Sequence, residues 1–363
     1  MSSNLYPFLF QPNLKTVVWG GHRLTDYKGL DSNVFNQGPY GESWEVSAVQ
    51  GSESVISNGS YMGQSLSDVI SKFPVEILGE KTFEIYGAKL PLLMKFIDAD
   101  KDLSIQVHPN DEMAMREHGK LGKSEMWYVI DAKPGSFLYA GFKEKISPYE
   151  YKKRVEDGTI TSVLAKHEVH TGDVFYLPAG RVHAICSGIL LAEIQQSSDV
   201  TYRIFDYNRP GLDGRPRELH TNLAAQALDF NVEDDYRTQY SSEDNAAKSI
   251  ISTPFFSCRL LNLSKGSFDS INKDIETSFH RNLLKYDSFI ITTCIEGQCR
   301  ISSRINDTQV ELSSGNSALI PAVLADYDVV PRTSQCKLLD SFVDNKDQSL
   351  TSKFTRFLHL SRK

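Results

Sequence analysis

The stretch Gly172-Asp173-Val174-Phe175-Tyr176-Leu177-Pro178-Ala179-Gly180-Arg181-Val182-His183 decides the reading of this chain. Its pattern is Gly, five residues, Pro-x-Gly, two residues, His. Residues 173–178 read as a short strand of β-branched and aromatic residues. Pro178 ends it, because proline cannot donate to a ladder. Gly180 supplies a tight turn, and His183 emerges at the start of the next strand.

Similar short β-type runs, bounded by Gly, Pro, Asn and Asp, lie at 124–130, 189–194, 289–295 and 317–321. Their length and punctuation predict a mainly β protein of antiparallel sandwiches or barrels. Helices look few. Ser147-Pro148-Tyr149-Glu150 has a capping-box form with proline at the first helical position, predicting a helix to about Glu156 that stops near Gly158. Further helices are expected at 65–73 and about 219–230. The polar segment Ser241–Lys248 predicts a boundary, with domains at 1–240 and 241–363. Across it, Gly315-Asn316-Ser317-Ala318-Leu319-Ile320-Pro321-Ala322 repeats the Gly, five residues, Pro-Ala spacing of Gly172–Ala179. Two copies of one β-unit would explain the match, and aligning Pro321 on Pro178 puts Asp326 where His183 stands.

Composition sets outer limits. The 363 residues are 40% hydrophobic and 23% charged, ordinary for a globular protein, and the net charge is −7. That balance argues against general nucleic-acid binding, while leaving room for a local cationic cluster that holds an anionic small molecule. Five cysteines, odd in number and without a Cys-x-x-Cys pair, fit free thiols in a reducing compartment. No signal-peptide pattern and no long uncharged apolar run are evident. A cytoplasmic protein with no membrane partner is expected; the oligomeric state is not legible.

Two further segments converge on His183. In Gln106-Val107-His108-Pro109-Asn110-Asp111, residues two apart on a strand share a face, so Gln106 and His108 point the same way. In Gly122-Lys123-Ser124-Glu125-Met126-Trp127-Tyr128-Val129-Ile130, Glu125 heads a strand that should be buried. An unpaired buried carboxylate there is costly unless a cation meets it. A phosphate-loop reading of Gly122-Lys123-Ser124 fails because position 117 is Glu117. Two imidazoles, a carboxylate and an amide oxygen make a mixed N/O site suited to one Zn²⁺, with Mn²⁺, Co²⁺ or Fe²⁺ as alternatives. His22, His118, His167, His170, His220, His280 and His359 lack such context; His167 and His170 read as surface residues of a loop. Arg203 follows a strand near this site. It could bind phosphate or an oxyanion, or simply pair with Asp199 or Asp206. His108, Glu125 and His183 alone would also serve an iron-dependent oxygenase; a non-catalytic sugar-binding protein is the other alternative, and the intact ligand set argues against it.

The pattern from Gly172 to His183 resembles the second conserved motif of the cupin superfamily. The first, a His-x-His followed by Glu, is matched loosely, with Gln106 in place of the first His. More specifically, the chain resembles the short bacterial form of type I mannose-6-phosphate isomerases. The resemblance rests on Pro12-Asn13-Leu14-Lys15, Trp19-Gly20-Gly21, Gly41-Glu42-Ser43-Trp44-Glu45-Val46-Ser47 and Pro91-Leu92-Leu93-Met94-Lys95-Phe96-Ile97, and on 106–111, 123–128, 177–184 and 196–203. It implies two cupin-type jelly-roll barrels with a few short helices. It also implies a zinc set of Gln106, His108, Glu125 and His183, with Arg203 and Lys123 catalytic. Many longer relatives carry His-Lys-Pro-Glu where this chain has Gly122-Lys123-Ser124-Glu125, so a histidine at position 122 has no part here. The implied reaction interconverts mannose 6-phosphate and fructose 6-phosphate through a cis-enediol. Lys123, Asp199 and Glu45 are candidates for the base, and Asp199 and Glu45 for substrate contact. Trp19 and Trp44 are either cleft walls or core. The second half is expected to carry no metal and to bury a face of the catalytic sheet or shape the cleft.

Overall fold

The computed structural model describes residues 4–35, 38–265 and 278–345. His359 and the tail of the expected second domain lie outside the described residues. The first part contains β1 (Phe8–Leu9), β2 (Leu14–Gly21), β3 (Tyr40–Val46), β4 (Leu92–Ala99), β5 (Ile105–Val107) and β6 (Glu125–Ala132). It continues with β7 (Phe137–Phe142), β8 (Leu164–Glu168), β9 (Val174–Leu177), β10 (His183–Ile185), β11 (Ile189–Gln196) and β12 (Tyr202–Phe205). The second contains β13 (Ala246–Ser252), β14 (Ser257–Ser264), β15 (Phe279–Asn282), β16 (Ile290–Glu296) and β17 (Gln298–Ser303). It ends with β18 (Gln309–Ser313), β19 (Asn316–Ile320), β20 (Asp326–Pro331) and β21 (Gln335–Phe342).

The protein is mainly β, and among the described residues no sheet closes into a barrel. The first part stacks a sheet ordered β2-β3-β4-β11-β6-β9 against one ordered β12-β5-β10-β7-β8. The second has β1-β19-β16-β21-β14-β13 and β15-β20-β17-β18. The orders β4-β11-β6-β9 and β5-β10-β7-β8 recur as β14-β21-β16-β19 and β15-β20-β17-β18, every index raised by ten. The Gly-to-Pro spacing seen at residues 172–179 and 315–322 is the sequence trace of this repeat, at β9 and β19.

The two parts are not separate bodies. Strand β1 pairs with β19, Phe8 opposite Leu319, and β13 begins inside the segment expected to be a linker. One core holds Leu92, Met94 and Phe96 of β4, Met126 of β6 and Ala192 and Ile194 of β11 together with Phe256, Ile291, Leu319 and Leu338 of the second part. The other residues of the same strands, such as Ile97, Trp127 and Leu191, face the interior of the first part. Strands β4 and β11 are therefore buried at every residue, which explains why both are mainly apolar on both faces. Each large apolar side chain buried at this seam stabilises by roughly 1.5–3 kcal/mol. The second part thus covers the back of the sheet whose front carries the site.

The three expected helices are present at Pro148–Glu156, Leu66–Lys72 and Thr221–Ala227. The hydroxyls of Ser147 and Ser65 accept the cap bonds from the Glu150 and Asp68 amides, each worth about 1 kcal/mol. Four others were not expected: Arg23–Tyr27, Pro74–Leu78, Glu80–Tyr86 and Asp111–His118. The last had a readable signal. Asn110 caps it by accepting from the Met113 amide (2.9 Å), acids fill its first turn, and Gly119 ends it in the left-handed conformation.

Candidate metal centre and cleft

Strand register assembles the site. Gln106 of β5 lies opposite His183 of β10 on one side and opposite Arg203 of β12 on the other. Directly paired residues share a face, so Arg203, Gln106 and His183 form one row. Glu125, on the facing sheet, lies opposite Leu177 and Gln195. His108 sits one residue past β5, and Pro109 ends the strand there.

The metal-ligand candidates are brought together and sealed. One ligand atom each from His108, Glu125 and His183 lies within 4.8 Å of the others, and all three residues are buried. His108 Nδ1–H donates to the Val200 carbonyl (2.9 Å), and His183 Nδ1–H to the Arg181 carbonyl (2.8 Å). Both Nε2 lone pairs therefore face inward, the arrangement by which outer hydrogen bonds set a ligand imidazole's tautomer. Burial, and next Lys123, push the His108 imidazole down to about 4. Burial also lowers His183, against the pull of Glu125. Both rings are neutral at physiological pH. Burial raises the Glu125 carboxyl, but the Lys123 ammonium beside it outweighs this and holds it well below the usual carboxylate range.

These groups fit a cation. Glu125 Oε1 is 3.3 Å from the unprotonated His183 Nε2, yet has no hydrogen-bond partner. A carboxylate oxygen and a nitrogen lone pair that face each other, fully buried, are costly unless a positive ion meets both. Gln106 adds its amide, 3.3 Å from His183 Nε2. Lys123 Nζ is 3.1 Å from His108 Nε2 and pairs with Glu125 Oε2. Gly122 supports this turn by close approach, since a Cβ there would lie 2.5 Å from the Asp111 nitrogen.

The cluster borders a cleft of about 340 Å³ whose walls include Gln106, Lys123, Asp199, Arg203, Trp19 and Trp44. Glu42, Lys95, Glu193, Arg217 and His220 also line it and had not been singled out. Lys95 and Glu193 did carry a signal, each being a lone charge in an apolar run. On the front face they meet across paired strands. Lys95 Nζ lies 3.4 Å from Glu193 and 3.6 Å from Glu42, and 4.7 Å from the Trp44 ring centre. The Trp127 and Trp44 indoles donate to Glu193 (2.9 Å) and Glu42 (2.6 Å).

Arg203 forms neither of the surface pairs that were the alternative to a site role. Asp206 is engaged by Arg209 and Arg217, and Asp199 by Lys120 at 2.6 Å. Arg203 Nη1 donates to the Glu218 carbonyl (2.9 Å), while its Nε is buried without a partner. Asp199 stands at the cleft wall, but its carboxylate is held by Lys120. Glu45 is not in the cleft. On β3, Glu42 and Trp44 point to the front, whereas Ser43 and Glu45 alternate to the back. There Glu45 accepts from Lys28 (2.6 Å) and from the Ser43 hydroxyl (2.5 Å). Trp19 is both wall and core. His170 is exposed as expected; His167 is instead a half-buried residue of β8, against Phe175 and Tyr236.

Residues 8–135 match the family described as phosphomannose isomerase type I, catalytic domain. The chain is 33% identical over 328 residues to the probable mannose-6-phosphate isomerase GmuF of Bacillus subtilis, an alignment spanning 89% of this chain and 96% of that protein. It is also 33% identical to the mannose-6-phosphate isomerase ManA of that organism, over 88% and 95% of the two chains. The crystal structure of a Bacillus subtilis mannose 6-phosphate isomerase superposes with a TM-score of 0.78 at 30% identity, covering 93% of this chain and 99% of that one. A putative mannosephosphate isomerase from Archaeoglobus fulgidus, at 22% identity and a TM-score of 0.72, shares the fold. The chain belongs to the type I phosphomannose isomerase family.

Proposed function

We propose that this protein interconverts D-mannose 6-phosphate and D-fructose 6-phosphate, moving a proton between C2 and C1 through a cis-enediol. The observation that carries this reading is the row of Arg203, Gln106 and His183, meeting Glu125 and His108 in one buried cluster beside a cleft whose walls carry Lys95, Lys123, Arg203 and Arg217. Gln106, His108, Glu125 and His183 would hold one divalent ion. The neutral imidazoles and hard oxygen donors favour Zn²⁺, with Mn²⁺, Co²⁺ or Fe²⁺ as substitutes. A bound ion supplies Lewis acidity that stabilises enediolate charge.

The remaining steps belong to side chains. Arg203, one strand from Gln106, presents its guanidinium to the enediolate oxygens. Lys123, beside His108 and Glu125 and at the cleft wall, is the proposed base. Asp199 contacts substrate when Lys120 releases it. Lys95, held between Glu42 and Glu193, braces the opposite wall.

Each half is proposed to be a cupin jelly roll, the first (1–240) catalytic and the second (241–363) without metal; the strand order repeated at an offset of ten supports this. Register supports the loss of metal. Asp326 pairs with Asn282 as His183 pairs with Gln106, and Ile290 lies opposite Ile320 as Glu125 lies opposite Leu177. A cytoplasmic setting is proposed on the five free, buried cysteines. Among the described residues no helix is long and apolar enough to cross a membrane.

The test is a coupled assay of purified protein on mannose 6-phosphate, with metal content measured. Turnover that disappears on chelation and returns with Zn²⁺, without oxygen uptake, is expected. A metal-replete protein that does not form fructose 6-phosphate would overturn the reading.

A further inference from the structure

We infer that His220 is a substrate-contacting residue that sets specificity, donating its Nε2–H to the phosphate end of the sugar phosphate; this rests on the isomerase reading above.

His220 and Arg203 are bonded reciprocally. The His220 amide donates to the Arg203 carbonyl (2.7 Å), and the Arg203 amide donates to His220 Nδ1 (3.1 Å). A ring nitrogen that accepts a backbone N–H carries no proton. The neutral ring's single proton is therefore on Nε2. The carboxylate nearest to that nitrogen, Glu218 Oε2, is 4.0 Å away, beyond hydrogen-bond range. The ring lines the cleft, so this geometry leaves a donor of fixed tautomer to a ligand there. Burial, with Arg203 and His118 and against Glu218, lowers the imidazole's affinity for a second proton.

The surroundings select an anion. Arg217 lines the cleft with His220 and is fixed by two bonds to Asp206 (2.7 and 2.6 Å), while Arg203 stands between His220 and Gln106. Arg203 also stands two strands from His183 through Gln106, which at strand spacing is roughly 10 Å. A hexose phosphate has its reacting carbons and its phosphate at opposite ends of the chain. The metal ligands and His220 stand in the same relation.

Two variants separate contact from positioning. His220→Asn keeps an acceptor near the Arg203 amide but is too short to reach with a donor. His220→Gln reaches like Nε2 but lacks the Nδ1 acceptor. With metal content and melting temperature verified, His220→Asn should raise KM for mannose 6-phosphate about tenfold or more, as expected for losing a bond to a charged group. Its kcat should stay within about threefold, because that bond holds substrate and transition state alike. The inhibition constant of inorganic phosphate should rise in parallel. His220→Gln should keep KM and lower kcat, through looser placement of Arg203. Unchanged KM and phosphate inhibition in His220→Asn would overturn the inference, as would a fall in kcat alone. If the wild type does not isomerise mannose 6-phosphate, the isomerase reading fails by itself. Calorimetry of inorganic phosphate on wild type and His220→Asn then still decides whether His220 binds the anion.

Discussion

Glu125 and Ile290 occupy the same position in the two halves: each lies opposite the residue that precedes a Pro-Ala step, Leu177 in one case and Ile320 in the other. One repeat thus holds a buried carboxylate among two imidazoles, and the other an apolar side chain in its core.

Removing any one of His108, Glu125 or His183 as the alanine variant should abolish both bound metal and turnover while the fold persists. A site with so few ligands cannot spare one. Gln106→Ala should be milder, because an amide oxygen is a weak neutral ligand. Elemental analysis beside circular dichroism checks this; full metal occupancy in a variant removes that residue from the ligand set.

The second half should bind no metal. Asp326 and Asn282 stand where His183 and Gln106 stand in the first, and Ile290 replaces the carboxylate. A metal-to-protein ratio near one is expected for the purified chain. A ratio near two, unchanged in His108→Ala, would contradict the assignment.

Arg203→Ala should lower kcat by about 10²–10³, in line with the loss of one oxyanion donor, with little change in metal content. Arg203→Lys should recover little, since a point charge lacks the planar fork of the guanidinium. Steady-state kinetics on metal-verified protein distinguish this from a purely binding role, which would chiefly raise KM.

Glu45→Ala should act on stability and leave the chemistry alone. It strands the Lys28 ammonium, whose side chain is 2% exposed and also donates to the Gly315 carbonyl of the second half. Breaking a buried pair in this way costs about 3–5 kcal/mol. Chemical denaturation should show that loss while KM and kcat at low temperature stay near the wild-type values. A selective rise in KM would return Glu45 to the substrate side.

Phe96→Ala should cost about 3–5 kcal/mol through a cavity at the seam between the halves. Phe96 is fully buried there, against the Tyr27 ring at 5.3 Å. Melting curves should fall as one cooperative transition, because both halves share that core. Two separated transitions would count against the shared core.

Local patterns determined a good part of this protein. The motif ending at His183, the spacing of Gln106 and His108 and the buried position of Glu125 each depend on the rules of one strand and its turn, and those rules are written in adjacent residues. The same holds for the caps at Ser147 and Ser65. What tertiary structure alone decided depends on strands far apart in sequence. Glu45 and Trp44 are neighbours in the chain, yet only the stacking of sheets determines which of them faces the cleft. Arg203 had two carboxylates within four residues, and both were taken by other cations, Asp199 by Lys120 from 79 positions away and Asp206 by Arg209 and Arg217. His220 had no ligand context in the sequence, because its tautomer is set by a backbone amide seventeen positions away. Alternation along a strand divides residues into two faces. Which face becomes a catalytic wall and which becomes core is settled by what packs against each, and here the second half packs against the back.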